Sequence, residues 1–280
     1  MRKILLTNII FTFILIVWGS IVRTAGAGLG CPDWPLCHGQ IIPPPRWDAW
    51  VEWIHRFLAS LVGLITFTSF ILIILKKEYR KKLGFLSFIS LLFLIFQALL
   101  GAQAVKTELQ PQYVVIHLAL ALIFFSLLLV MYLKEKNMGY QLSENLRVRK
   151  NFLILILFFV GFLFYLQSLM GGWIAATGAG QHCPIFPDCL FQGFLKFHVW
   201  GAFFVFVAAY ALTFFARTFH ITGKLKSGIL GLFIGTLIQI VVGLGNVYFG
   251  IPLWVSVFHT ALATGLFAML VSMTYKLSQS

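Results

Sequence analysis

Eight runs of apolar residues, separated by short polar stretches, dominate this chain of 280 residues. Each run holds about 20 residues, enough for a helix to cross a hydrocarbon core of about 30 Å. The composition agrees, because 60% of the residues are hydrophobic and only 10% are charged, whereas soluble domains carry about 25% charged residues. We therefore predict an all-α polytopic membrane protein with eight transmembrane helices, at about 4–22, 50–74, 84–105, 113–133, 151–172, 194–216, 227–248 and 253–275.

The net charge of +13 comes mostly from basic residues in alternate loops. Because loops rich in lysine and arginine stay in the cytoplasm, both termini are predicted to be cytoplasmic. The first run is then a retained helix rather than a cleaved signal peptide. The basic excess favours contact with anionic lipid headgroups and needs no nucleic-acid partner. The basic residues assigned to the cytoplasmic side are Arg2, Lys3, Lys76, Lys77, Arg80, Lys81, Lys82, Lys134, Lys136, Arg147, Arg149, Lys150, Arg217, Lys224, Lys226 and Lys276.

All four cysteines lie in two loops that share the frame C-P-x-x-P-x-C. The first loop contains "CPDWPLC" and the second contains "CPIFPDC". The charge distribution places both loops on the extracytoplasmic side, where disulfides form and persist. We therefore predict the disulfides Cys31–Cys37 and Cys183–Cys189. A zinc site built from all four cysteines is the alternative, although zinc ligands are usually separated by about two to four residues.

The cysteine loops belong to a longer internal repeat. The stretches "FQALLGAQAV" and "IQIVVGLGNV" align, and each is followed at equal spacing by a histidine, His117 and His259. The repeat predicts two four-helix halves, residues 1–140 and 141–280. Each half has an even number of spans, so a pseudo-twofold axis along the membrane normal should relate the halves as a parallel repeat.

Four of the seven histidines fall within predicted helices, on the second and fourth helix of each half. At a rise of 1.5 Å per residue, all four should lie roughly 8–10 Å below the outer helix ends. Two histidines at one level on different helices can ligate a haem iron from both sides. We therefore predict one haem site from His55 and His117 and another from His198 and His259. Hydrogen bonding between helices is the alternative for a single histidine.

The two halves differ beside these histidines. Glu52 lies one helical turn before His55 on the same face, whereas Leu195 stands at the equivalent position before His198. A carboxylate beside a haem could transfer protons or stabilise a cationic intermediate; a simple ion pair with Arg56 is the alternative. The asymmetry predicts a reactive porphyrin in the first half and an electron-transferring porphyrin in the second. The outer cations that could contact haem propionates are Arg23, Arg46, Arg56 and Lys196.

This combination of features resembles the haem A synthase family. The resemblance rests on the four-plus-four helix duplication, the "VEWIHR" stretch, the three further intramembrane histidines and the paired cysteines, and it covers essentially the whole chain. It implies an oxidoreductase that converts haem O to haem A for the biogenesis of haem-copper oxidases. In such a reaction the methyl group at porphyrin carbon 8 is oxidised to a formyl group by successive hydroxylations.

The resemblance also implies roles for particular residues. In the second half, His198 and His259 would ligate a haem b cofactor. In the first half, His55 and His117 would hold the substrate haem, and Glu52 would be essential to the chemistry. The disulfide of the first cysteine loop would affect function.

Three other functions compete with this one. A haem O synthase would need acidic motifs that bind magnesium and diphosphate, and the chain has only eight acidic residues. A di-haem b-type electron-transfer cytochrome linked to quinone, and a haem transporter or chaperone, stay open from the residues alone. The expected partners are the lipid bilayer of a bacterial inner membrane, haem O, a haem O synthase, an electron carrier such as a quinone, and further copies of the chain.

Overall fold

The computed structural model describes residues 1–142, 144–179 and 186–280, with Asn145 described by its backbone alone. These residues form α-helices and one 3₁₀ turn, and they contain no β-strand. Eight of the described helices are long and apolar enough to cross a membrane, which confirms the predicted fold class. The helices are α1 (Arg2–Thr24), α2 (Trp47–Leu75), α3 (Lys77–Lys106), α4 (Pro111–Glu135), α5 (Glu144–Val148), α6 (Lys150–Thr177), α7 (Leu195–Thr218), α8 (Gly223–Tyr248) and α9 (Leu253–Ser278).

The membrane helices extend beyond the apolar runs that predicted them. Helix α3 begins at Lys77, several residues before its apolar run, because lysine, arginine and glutamate favour helix almost as well as alanine. Only Lys76, which has an extended backbone, separates α3 from α2. The short helix α5 and the 3₁₀ turn Asp188–Phe191 were not predicted, since neither carries a long apolar pattern.

Helix contacts follow the same order in both parts of the chain. Helix α1 packs against α2, α2 against α3, α3 against α4, and α4 returns to α1. Helices α6, α7, α8 and α9 pack in an equivalent ring. The two rings meet through α1, α4, α6 and α9, the first and last helix of each. These contacts are compatible with the predicted halves, and the division into residues 1–140 and 141–280 stays a prediction.

Polar contacts join the two rings near one end. The Thr260 hydroxyl on α9 donates to the Ser20 hydroxyl on α1 at 3.1 Å. One turn further along α1, the Arg23 guanidinium donates to the carbonyl oxygens of Ala175 at 2.8 Å and Ala176 at 2.7 Å. These carbonyls belong to the last turn of α6, which has no helical partners for them. Arg23 therefore caps a helix of the other ring.

The repeat is also visible where α1 and α6 end. Gly26 and Gly178 both have a positive φ, at 68° and 69°, a conformation that glycine adopts without strain. In each case the next main-chain N–H bonds to a carbonyl five residues back, from Ala27 to Val22 and from Ala179 to Ile174. The two helices therefore stop in the same way, and each leads into a cysteine loop.

Candidate functional site

The four predicted site histidines lie on four different helices, α2, α4, α7 and α9. Each ring is partly exposed, yet its Nδ1 atom is buried and has no hydrogen-bond partner among the described residues. The Nε2 atoms do not belong to this buried set. Each imidazole is therefore placed with Nε2 as the nitrogen available to a ligand. The residues are His55, His117, His198 and His259.

The structure brings these histidines together in two pairs. His55 and His117 lie close enough to interact electrostatically, and His198 and His259 do the same. The first pair bridges α2 and α4, and the second bridges α7 and α9. The spacing of the repeat predicted which histidines lie near each other. Ligation of haem by these pairs stays a prediction.

A glycine from the preceding helix lies against each of the four rings. A methyl group added to these glycines would come within 3.0 to 3.5 Å of the ring atom Cε1. An added methyl group would therefore press on the ring at Gly101, Gly171 and Gly243, and would make an ordinary contact at Gly19. The contacts are Gly19 with His55 at 3.5 Å, Gly101 with His117 at 3.3 Å, Gly171 with His198 at 3.2 Å and Gly243 with His259 at 3.0 Å.

A glutamine holds the main chain at three of these histidines. Its side-chain amide donates to the histidine carbonyl oxygen, and it lies four residues before the glycine that contacts the same ring. We call this contact the glutamine brace. The three braces are Gln97 to His117 at 2.9 Å, Gln167 to His198 at 2.8 Å and Gln239 to His259 at 3.1 Å.

The predicted acidic residue of the first site is buried and ion-paired. Glu52 is 5% exposed, and its Oε1 accepts a hydrogen bond from Nε of Arg56 at 2.8 Å. Arg56 also donates to the carbonyl oxygens of Cys31 and Asp33, at 2.8 and 2.6 Å. The ion pair that was the alternative reading of Glu52 is therefore present, and it ties α2 to the first cysteine loop.

The first cysteine loop is closed by the Cys31–Cys37 disulfide, as predicted. Both cysteines are buried, and a methyl group on Gly30 would collide with the carbonyl of Asp48 at the start of α2. The loop therefore lies directly on α2. Because these two cysteines are oxidised, a zinc site that uses all four cysteines as thiolates is wrong.

The second cysteine loop is described only in part. Cys183 lies outside the described residues, so the Cys183–Cys189 disulfide stays a prediction. Cys189 is 5% exposed and packs with Ile174 and Leu195.

The four cations predicted near propionates all contact protein groups. Arg23 caps α6 and Arg56 holds Glu52 and the first loop, as described above. Arg46 pairs with Asp48 at 2.7 Å, and the ammonium of Lys196 lies 5.1 Å from the centre of the Phe197 ring. Propionate contacts by these residues stay predictions.

The histidine pairs fit a haem better than a bare metal ion. Among the described residues, no three side chains of histidine, cysteine, aspartate or glutamate cluster to hold a metal. A porphyrin supplies four of the iron ligands itself, so two axial imidazoles complete the set. The Nε2 atoms are not among the buried atoms without a partner, so two imidazoles can each present one free nitrogen to an iron.

Sequence reasoning missed part of this pattern. It aligned the stretches that contain Gln97 and Gln239 without assigning a contact to either glutamine, and it did not pair Gly19 or Gly171 with a histidine. Gln167 was overlooked, although it precedes Gly171 by four residues, as the other two glutamines precede their glycines. Extending the repeat to the first helix of each half would have found it.

These features define a multi-pass helical membrane protein with paired intramembrane histidines, an arrangement typical of membrane proteins that hold haem. The part of the chain that carries them is matched by a family model in two segments, residues 2–48 and 46–271. The chain belongs to the COX15-CtaA family of cytochrome oxidase assembly proteins.

Curated relatives of the chain carry one name. A haem A synthase of Shewanella oneidensis is 30% identical over 96% of this chain and 94% of the relative. A haem A synthase of Exiguobacterium sibiricum is 27% identical over 98% of this chain and 95% of the relative. One of Bacillus licheniformis is 32% identical over 70% of this chain and 66% of the relative. The resemblance therefore extends over both histidine pairs.

Proposed function

We propose that this chain is a haem A synthase, an oxidoreductase that oxidises the carbon 8 methyl group of haem O to a formyl group by successive hydroxylations. Membership of the COX15-CtaA family and relatives named haem A synthase support this function. The observation that carries it is the presence of two histidine pairs, each ring set against a glycine within membrane helices. The product would serve the assembly of haem-copper oxidases.

The two pairs have different tasks in this proposal. The first pair, His55 and His117, holds the substrate haem O and the product haem A. The second pair, His198 and His259, holds a resident haem b, which when bound supplies electron transfer. The assignment is supported by the buried Glu52 and its partner Arg56, which have no described counterpart beside the second pair.

Glu52 holds or moves a proton beside the substrate. Its carboxylate lies one turn from His55 and is fixed by Arg56 rather than free to rotate. A positioned carboxylate of this kind contributes general acid–base catalysis when it lies within hydrogen-bond reach of the reacting group. The apolar helix surroundings exclude water and strengthen this interaction.

The first cysteine loop covers this site. Arg56 donates to the loop carbonyls of Asp33 and Leu36 as well as to Glu52. One guanidinium therefore connects the loop with the catalytic carboxylate, and the Cys31–Cys37 disulfide keeps the loop in the shape that Arg56 binds. Reduction of the disulfide should lower activity by releasing both contacts.

The chain forms two halves, residues 1–140 and 141–280, in a bacterial inner membrane, with cytoplasmic termini and both haem sites near the outer face. Haem O reaches the first pair from the bilayer, because it is strongly apolar. A haem O synthase, an electron carrier such as a quinone, and other copies of the chain are the proposed partners.

Expression in a bacterial host that makes haem O but no haem A tests the proposed reaction. Pigments extracted from the membranes should contain haem A, identified by its mass and absorption spectrum. A chain that is fully loaded with haem yet yields no haem A would contradict the synthase. That outcome is the one expected of an electron-transfer cytochrome or a haem transporter.

A further inference from the structure

His55 is the only one of the four described site histidines without a glutamine brace. Its glycine partner is Gly19, and the residue four positions before that glycine is Leu15 instead of glutamine. No side chain of the described residues donates to the His55 carbonyl. Leu15 packs instead against an apolar cluster that includes Val62 and Phe124. The hydrogen bond that fixes the backbone at the other three histidines is therefore missing here.

The ring of His55 also has the loosest glycine contact. A methyl group on Gly19 would lie 3.5 Å from its Cε1 atom, an ordinary van der Waals distance. The corresponding distance is 3.0 Å at Gly243 and His259, which is shorter than an ordinary van der Waals contact. Of the four histidines, His55 therefore has the longest glycine contact at its ring and no glutamine brace at its main chain.

Helix α2 is held near His55 by other contacts. The Trp18 indole donates to the carbonyl of Val51 at 3.0 Å, one turn before the histidine. On the other side, Arg56 binds carbonyls of the cysteine loop rather than a neighbouring helix. The main chain of His55 therefore lies between two anchors, and its own carbonyl accepts no hydrogen bond from a side chain of the described residues.

We infer that Gln97, Gln167 and Gln239 are positioning residues that hold three haem ligands through the main chain, and that His55 is the ligand whose bond opens when haem leaves the first site. This inference rests on the proposed function and deepens it. A resident cofactor has to stay bound, whereas a product has to dissociate. Haem should therefore leave the first site faster than the second. The second site has a brace on both ligands, and the first has one on His117 alone.

The brace should affect how fast haem is released. A hydrogen bond between membrane helices changes an equilibrium or rate by about threefold on average, and by about tenfold in favourable cases. Adding a brace at Leu15 should therefore slow release from the first site by that factor. Removing one at Gln239 should speed release from the second site by a similar factor.

Transfer of haem b to excess apomyoglobin measures these rates. The full chain is expressed in a host that makes haem b and no haem O, so that haem b fills both sites without conversion, which a content of two haems per chain verifies before release is measured. Release should be biphasic, and the His117→Ala variant should lack the fast phase. Leu15→Gln should slow the fast phase about three- to tenfold, whereas Leu15→Met, which has similar volume and no donor, should release haem as the original chain does.

The reciprocal variant keeps the test informative if Leu15→Gln does not fold. Gln239→Leu should accelerate the slow phase and shift the low-field electron paramagnetic resonance signal of the second haem, because the His259 ring changes its orientation. A purely structural loss would lower haem content without shifting that signal.

Several results would overturn the inference: a single release phase, a fast phase unchanged in folded Leu15→Gln, or an unshifted slow phase and signal in Gln239→Leu. None of them bears on haem A formation. Conversely, a chain that makes no haem A but releases haem b as expected would refute the proposed function and keep the ligand assignment.

Discussion

Glu52 shows most clearly how a single residue can distinguish the two sites. A carboxylate in a membrane helix is tolerated only when it is paired or neutral, and Glu52 is paired with Arg56 at 2.8 Å. Removing one member of a buried pair destabilises a protein more than removing both, because the remaining charge has no partner. The proposed catalytic role of Glu52 can be distinguished from its structural role by measuring activity and haem content together.

Replacing Glu52 with glutamine should reduce haem A formation by about 100-fold or more, the usual contribution of a positioned acid–base group. Haem b bound at the second pair should stay, because Glu52 does not contact it. Pigment extraction from membranes gives both quantities. Asp48→Asn is the matched control, since Asp48 lies one turn earlier on α2 and is paired with Arg46 outside the site. Near-normal conversion by Glu52→Gln would remove Glu52 from the mechanism.

The first loop should depend on pH through Asp33. The Asp33 carboxylate accepts hydrogen bonds from the main-chain N–H of Gly39 at 2.7 Å and of His38 at 2.6 Å. These bonds, that from Gly39 foremost, lower the pKa of Asp33 below its ordinary value of 3.8. Because the folded pKa is depressed, the stabilisation is complete above the ordinary value and is lost as the pH falls through the lowered pKa.

Reduction of the Cys31–Cys37 disulfide by a phosphine should therefore accelerate as the pH falls below about 4, the ordinary range of an aspartate pKa. Asp33→Asn should show no such step, and it corrects for the pH dependence of the reductant. Alkylation and intact mass after timed exposure provide the rates. Equal pH dependence in both chains would show that Asp33 does not hold the loop.

Between neighbouring helices, a glycine on one helix limits the position of the imidazole ring on the next. A methyl carbon added at Gly243 would lie 3.0 Å from the ring of His259, and one added at Gly19 would lie 3.5 Å from the ring of His55. Packed interiors respond to a single added carbon by moving neighbours or by losing stability. Replacement of glycine by alanine should consequently disturb the ring of His259 more than the ring of His55.

Gly243→Ala should displace the His259 ring and lower the haem b content of the purified chain markedly. Gly19→Ala should have a smaller effect on haem at the first site, because its methyl group makes an ordinary contact. Haem per chain, measured from the pyridine complex, compares the two. A larger loss in Gly19→Ala than in Gly243→Ala would contradict this geometry.

Arg23 should matter for the contact between the two rings of helices. Arg23→Met keeps the length of the side chain and removes its hydrogen bonds to Ala175 and Ala176. We expect a destabilisation of about 1–3 kcal/mol, as for hydrogen bonds from a charged donor. Arg46→Met, which breaks an exposed pair, should destabilise the chain by less than about 1 kcal/mol. Thermal unfolding in detergent measures both, and equal midpoints would contradict the capping role.

At the scale of the whole molecule, the membrane helices and the histidine pairs were predictable from the sequence. Hydrophobic run length locates a membrane helix because the bilayer thickness fixes it, and the repeat then aligned His117 with His259. The Arg23 cap could not be predicted, since it joins α1 to α6 across 152 residues and depends on how the rings pack. Gln167 was missed because the repeat was compared only on the third helix of each half, whereas Gln167 lies on the first helix of the second half, where its counterpart is Leu15.

The two rings of helices also differ in the contacts that join them. Ser20 on α1 accepts a hydrogen bond from Thr260 on α9. At the equivalent contact, Gly172 on α6 lies against Leu118 on α4. The contacts of the four histidines are thus similar in the two rings of helices, whereas the interface and the acidic residue differ, as expected if the two proposed haem sites have different tasks.

The first histidine pair is proposed to hold the substrate and the second to hold the cofactor. The haem composition of purified His117→Ala and His259→Ala from a host that makes haem O distinguishes these two roles. His117→Ala should contain haem b and neither haem O nor haem A. His259→Ala should lose haem b, keep haem O and make no haem A. Haem A in the His117→Ala extract, or haem b lost there instead of haem O, would contradict the assignment of the two sites.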